Sequence, residues 1–210
     1  MRTTTTMNRT STLALFTLCF VAAGCSVLAP LRDRSRFFTL TPLPARDAAS
    51  GADAITYGLG PIKLAPYLDR DAIATRVSPT EVTYSATDRW AEPLQANITR
   101  VLLQNLFVLL DTDRIAVYPW PGAFTADYQV RISVLRFESD TKGEAHLDAQ
   151  WEIQDGRNGG YVTTRTSTFT HPATAATTAA AVNAMSLTLE DLGRDIAAAL
   201  AQARGSRETH

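Results

Sequence analysis

Three histidines, His146, His171 and His210, are the first candidates for acid–base or metal chemistry in this chain. None stands four residues from a second ligand, so no metal site is expected. His146 falls on the polar face of an alternating segment, His171 precedes Pro172, and His210 is the final residue; each reads as a structural or surface histidine. A serine nucleophile on an elbow needs flanking glycines at fixed spacing, and no segment supplies them. Gly58 and Gly60 could open a dinucleotide loop, but Lys63 occupies the place of its third glycine, so both are read as shaping a strand. The carboxylate pairs Asp69/Asp71 and Asp111/Asp113 flank turns, where Asp accepts backbone hydrogen bonds, and nothing beside them would raise a pKa for glycosidase-type acid catalysis. Trp90, Trp120 and Trp151 could stack on a sugar or an acyl chain; Trp151 fits the buried face of a strand and is assigned to the core. No enzyme active site emerges.

The remaining reactive group is a thiol. A basic start with Arg2 and Arg9, an uncharged apolar run from Leu13 to Ala23 and small residues before Cys25 have the form of a cleavable export signal. The run is well short of the ~20 residues that a bilayer-spanning helix requires. Val21, Ala22, Ala23, Gly24 and Cys25 resemble the lipobox of bacterial lipoproteins, with Ala22 in place of the usual Leu. By that resemblance Cys25 carries a covalent diacylglycerol/acyl lipid, the membrane anchor and the only non-protein group expected. Two or more acyl chains at roughly 0.8 kcal/mol per buried CH₂ hold a protein at a membrane for practical purposes permanently. Cys19 leaves with the signal, so the mature chain forms no internal disulfide. Met1 and Met7 are both serviceable starts. Ser26 rather than Asp after the cysteine points, by resemblance to enterobacterial sorting, to the periplasmic face of the outer membrane.

The elements that follow are mixed. The chain has 20 Lys and Arg against 21 Asp and Glu, a net charge of −1, and its basic residues are scattered. That excludes a nucleic-acid footprint and a polybasic lipid-binding patch. Strands are expected at Phe37 to Leu40, Ile55 to Ala65, Ala72 to Ser78, Glu81 to Tyr84 and Arg114 to Tyr118. A helix opens near Pro93 with Leu94, Ile98, Val101, Leu102 and Leu109 on one face, and ends at Asp111 to Asp113. Tyr128, Val130, Ile132 and Val134 alternate with polar residues before the phase slips to Leu135 and Phe137, the mark of a β-bulge. Ala145 to Ile153 alternates without error, and after a glycine-rich turn the Thr-rich run Tyr161 to Thr170 completes an antiparallel meander. Val182, Met185, Leu189, Leu192, Ile196 and Leu200 recur at helical spacing as either a core stripe or a coiled-coil seam, with the core favoured. The expected fold class is α+β: an antiparallel or mixed β-sheet with two main helices packed against it. The expected organisation is a signal peptide at 1–24, a lipidated tether at 25–36, one domain at 37–204 and a flexible tail at 205–210.

Tyr67, Leu68, Asp69, Arg70, Asp71, Ala72, Ile73, Ala74, Thr75 and Arg76, then Arg89, Trp90, Ala91, Glu92, Pro93 and Leu94, then Tyr118, Pro119 and Trp120, and finally Tyr128, Val130, Val134, Phe137 and Glu138 resemble the PqiC family. These are lipoprotein auxiliary components of ABC-type transport systems that contain MCE proteins. Asp71 departs from the family, which often has Pro there. The resemblance implies a periplasmic α+β domain anchored to the outer membrane and a non-catalytic role in lipid transport or membrane integrity beside an MCE-domain (PqiB-like) partner. Self-association into a homo-oligomer stays open. Tyr67, Asp69, Arg70, Arg76, Arg89, Trp90, Glu92 and Trp120 sit at element ends and are the candidate partner-binding residues. The alternative for Trp90 and Trp120 is that they close the core. A lipid carrier with an apolar cavity between sheet and helix, and a structural lipoprotein unrelated to transport, are the competing functions.

Overall fold

Alternation of apolar and polar residues dominates the middle of the chain and builds a sheet with one dry face. In the computed structural model, residues 33–45, 55–120 and 122–208 are described. The expected signal peptide, Cys25, most of the tether, Pro121 and His210 lie outside them. Of the two units into which the chain divides, Met1–Arg34 and Ser35–His210, the second holds every element named below.

The elements in chain order are β1 (Arg36–Phe38), β2 (Tyr57–Leu64), a 3-10 turn (Pro66–Leu68), β3 (Ala72–Ser78), β4 (Glu81–Trp90) and α1 (Leu94–Leu110). There follow β5 (Ile115–Val117), β6 (Tyr128–Asp140), β7 (Ala145–Asp155), β8 (Tyr161–His171) and α2 (Thr178–Glu208). The α+β expectation holds. The strands form one mixed eight-stranded sheet in the order β1-β4-β3-β6-β2-β5, with β7 on β6 and β8 on β7.

The long strand β6 is the spine. Along one edge it pairs antiparallel with β7 from Tyr128 to Ser139. On the other it pairs parallel with β2 from Tyr128 to Val134, then with β3 at Ser139 and Asp140. The expected bulge lies between Val134 and Arg136, where the register to β7 shifts. It leaves Leu135 exposed and reverses the facing of the residues beyond it, so Val130, Ile132, Val134 and Phe137 all reach the core.

Both helices cover the dry face. Leu94, Ile98, Val101, Leu102 and Leu106 of α1 pack with Met185, Leu189, Leu192, Ile196 and Leu200 of α2 over Leu147, Trp151 and Ile153. The stripe on α2 is therefore core and not a coiled-coil seam among the described residues. α2 continues to Glu208, beyond the expected tail boundary at 204, because the Arg207 guanidinium reaches Asp155 at 2.6 Å and Asp127 at 3.6 Å.

Residues 39–43 form a strap laid over the helices. The backbone N–H groups of Leu40, Thr41 and Leu43 donate to side-chain oxygens of Asn97 (3.2 Å), Ser186 (3.1 Å) and Asn105 (2.7 Å), and the Leu40 side chain is 1% exposed. The expected strand at 37–40 is thus shorter, ending at Phe38. After it the backbone donors turn to α1 and α2. β4 in turn outruns its expected end at Tyr84. Its polar continuation is held by pairing on both sides, Arg89 to Ala72 of β3 and Asp88 to Trp90 against β1, and tertiary pairing outweighs local composition.

Candidate functional site

The 3-10 turn after β2 sets Tyr67 over the outer face of the sheet, and β3 carries Arg76 to the same place. Both converge on Glu138 of β6, which the reversed facing after the bulge places on that face. The Tyr67 hydroxyl donates to Glu138 Oε2 at 2.7 Å, Arg76 Nε donates to Oε1 at 2.5 Å, and Arg136 Nε donates to the same oxygen at 2.9 Å. Arg76 also donates to the Tyr67 hydroxyl and to the carbonyl of Pro79. The Glu138 side chain is completely buried. Burial by itself would raise its pKa, but the Arg76, Tyr67 and Arg136 donors outweigh burial and hold the carboxyl below its ordinary value. The Tyr67 hydroxyl is pushed up to about 12, first by burial and then by its bond to the Glu138 carboxylate.

A second layer rests on this network. The Tyr84 hydroxyl donates to the Tyr67 carbonyl at 2.9 Å, and the Arg70 guanidinium lies 4.8 Å from the centre of the Tyr84 ring. Asp69 closes the 3-10 turn by donating its backbone N–H to the Pro66 carbonyl, where a side chain accepting backbone hydrogen bonds was expected, and its side chain is exposed beside exposed Arg70 and Asp71. Tyr67, Asp69, Arg70 and Arg76 are thus brought together into one charged, aromatic patch.

The other candidates fall elsewhere. Arg89 is exposed on β4, and Glu92, just ahead of α1, pairs with Arg100 of that helix at 2.8 Å. Trp90, between them in sequence, is 5% exposed and belongs to the core cluster. Of the two readings open for Trp90, partner contact and closure of the core, its burial fits the second: consecutive residues of a strand face opposite ways, so where Arg89 meets solvent Trp90 turns inward. Trp120 lies at the β5 edge, away from β3 in the strand order, and packs edge-on against Tyr118 (ring centres 5.5 Å apart) and against Phe124 (5.7 Å). Tyr118 is half exposed. A Cβ on Gly58 would stand 2.5 Å from the Trp120 ring, which is why a glycine occupies that strand position. Replacing Gly58 with Ala is therefore expected to expel the Trp120 ring, seen as a red shift and loss of its fluorescence in a variant where Trp90 and Trp151 are unchanged.

Glu138 was named in the sequence only as part of a strand motif, and its place as the hub of Tyr67, Arg76 and Arg136 was missed. The phase slip before Phe137 was the available signal, because it turns Glu138 out of the alternation that would have pointed it at the helices. Asp88 was missed as well. It is 5% exposed, accepts from Arg36 at 2.7 and 2.6 Å and from the Thr178 hydroxyl at the start of α2, and is held below the ordinary carboxylate range chiefly by Arg36.

The arrangement suits recognition more than chemistry. Its buried carboxylate is saturated by donors, and its exposed surface offers guanidinium and phenol groups in fixed positions. The model of the ABC-type transport auxiliary lipoprotein component family matches residues 38–197, and the chain belongs to that family. In fold it is similar to protein XCC0632 from Xanthomonas campestris, described by the family model DUF330, at 19% identity and a TM-score of 0.66, covering 83% of this chain and 100% of that one. An uncharacterised protein of known crystal structure is similar at 14% identity and a TM-score of 0.65, over 79% of this chain and 98% of its own. A PelC dodecamer from Paraburkholderia phytofirmans matches at a TM-score of 0.41 and 16% identity, over 76% and 92% of the two chains. No curated protein matches the sequence.

Proposed function

We propose that this protein is a non-catalytic, lipid-anchored subunit of an MCE/ABC-type envelope lipid transport or membrane-integrity system, tethered to the periplasmic face of the outer membrane by diacylglycerol on Cys25. Family membership across 38–197 is the observation that carries the reading, since it makes the chain an auxiliary lipoprotein of ABC-type transport. The patch of Tyr67, Asp69, Arg70 and Arg76 supports a docking role toward an MCE-domain partner. Its guanidinium and phenol groups are the residue types enriched at protein interfaces, and the Glu138 network fixes them in advance of binding. A lipid carrier fits less well, because the space between sheet and helices is filled by Ile98, Leu102, Leu106, Met185 and Leu189, each no more than 1% exposed.

Two experiments test it. A palmitate analogue fed to cells should label the wild type and leave Cys25→Ser unlabelled and free of the membrane; equal labelling of both removes the anchor. Affinity capture of the native membrane-anchored protein should bring down an MCE-domain protein, and Arg70→Glu should lower the yield about tenfold. Capture of the wild type without any MCE-domain protein sinks the partnership.

A further inference from the structure

The tip of the β6–β7 hairpin gathers Asp140, Glu144 and His146, a histidine with no ligand four residues away in sequence. Asp140 and Glu144 face each other across the turn, with the Asp140 N–H donating to the Glu144 carbonyl at 2.9 Å. His146, the second residue of β7, stands two residues beyond Glu144, and its ring comes to the same side of the turn. Asp140 Oδ1 accepts from the backbone N–H groups of Lys142 (2.8 Å) and Glu144 (2.9 Å), which fixes the carboxylate and leaves Oδ2 directed at the imidazole. That oxygen is 4.0 Å from His146 Nε2, Glu144 Oε2 is 3.6 Å from the same nitrogen, and all three ligand atoms lie within 4.8 Å of one another.

Those separations are too long for hydrogen bonds. They exceed the ~3.4 Å that donors at Zn–N and Zn–O distances of ~2.1 Å keep in a tetrahedron, so the two carboxylates would close on a shared ion by a small rotation of their side chains. Charge points the same way. Among the described residues no Lys or Arg pairs with Asp140 or Glu144, and the neighbouring guanidiniums of Arg76 and Arg136 are held by Glu138. The two carboxylates therefore face one imidazole and no fixed cation. The cluster opens on a cleft of about 520 Å³ also lined by Ser78 and Thr141, with room for water to complete a coordination shell.

We propose that Asp140 Oδ2, Glu144 Oε2 and His146 Nε2 form a binding site for a divalent transition ion of the zinc class. One nitrogen and two oxygens with an open position suit Zn²⁺, whereas Ca²⁺ and Mg²⁺ call for larger all-oxygen sets. Bound there, the ion joins the two strands at the hairpin tip beside the Arg76 and Arg136 cleft. The test is calorimetric titration of the full-length protein in detergent with Zn²⁺ and separately with Mg²⁺, with Co²⁺ absorption as a spectroscopic report. The expected result is one Zn²⁺ per chain, no saturable Mg²⁺ binding, and intense visible Co²⁺ bands of low coordination number. His146→Ala should weaken Zn²⁺ binding at least tenfold, and so should Glu144→Gln, a change at a half-exposed surface position that leaves the fold intact. His171→Ala, which removes the ring paired with Asp191 at 2.7 Å, should bind as the wild type does. A wild type without saturable Zn²⁺ binding, or a Glu144→Gln variant that binds as tightly as the wild type, overturns the proposal.

Discussion

Glu138→Ala should lower stability by about 3 kcal/mol or more, the scale seen when one partner of a buried ion pair is removed. The carboxylate is fully buried, whereas Arg76 and Arg136 keep 21% and 28% of their side-chain exposure. The mutant therefore strands two partly hydrated guanidiniums and a phenol, which sets the loss toward the lower end of the range. Urea denaturation of wild type and mutant at neutral pH measures it. Because Arg76 loses its partner in the same step, Glu138→Ala combined with Arg76→Ala should cost clearly less than the sum of the two single changes. The pH dependence has a definite sign. The folded pKa of Glu138 is held below the unfolded value, so its contribution is complete above that unfolded value of ~4.3 and is lost as the pH falls through the lower folded pKa. The gap between wild type and mutant should narrow progressively as the pH falls below that unfolded value of ~4.3. Tyr67 acts at the opposite limit: its folded pKa of about 12 lies above the ordinary value of 10.0, so stability falls as the pH rises between the two.

Trp90→Ala should cost about 3 to 5 kcal/mol, as for other buried aromatic-to-alanine changes, and lower the thermal midpoint by roughly 10 °C. The ring is 5% exposed and packs in the cluster that joins β4 to α1. The neighbouring surface pair gives the contrast. Glu92 and Arg100 are 33% and 38% exposed, and Glu92→Gln should change stability by less than about 1 kcal/mol. Calorimetry on both variants checks the pair. Partner capture by the folded fraction of Trp90→Ala should match the wild type. A midpoint unchanged with capture abolished would return the ring to the surface.

Strands and helices whose burial follows one period were legible in the sequence. β3 begins and ends at Ala72 and Ser78 as expected, the alternation from Ala145 to Ile153 is the dry and wet facing of β7, and all six apolar positions of the α2 stripe are buried. The bulge was legible because a phase slip has no other simple cause in a continuous strand. What escaped was set by partners far away in the chain. Residues 85–90 carry too little hydrophobic pattern to announce a strand, yet pairing with β1 and β3 makes them one. Glu138 looks like any polar strand residue until β3 and the turn at Tyr67 are brought across it. A search for ligands four residues from a histidine passes over His146, because Asp140 and Glu144 stand six and two residues before it and the hairpin turn, not a helix, brings the three together. Tyr67, Arg70 and Arg76 were reached through family likeness. That likeness could not tell Trp90 from Arg89, which strand alternation separates.

The strap and the Asp88 clamp define a load path. A pull transmitted along the chain to β1 bears on Arg36, whose guanidinium grips both oxygens of Asp88, and Asp88 in turn holds Thr178 at the start of α2. Behind that clamp stand the parallel ladder of β1 on β4 and then the pinned N–H groups of Leu40, Thr41 and Leu43 on the two helices. Tension is therefore shared among the sheet, α1 and α2 within eight residues of entry, and peeling the strap would require these anchors to fail in turn from Arg36 to Leu43.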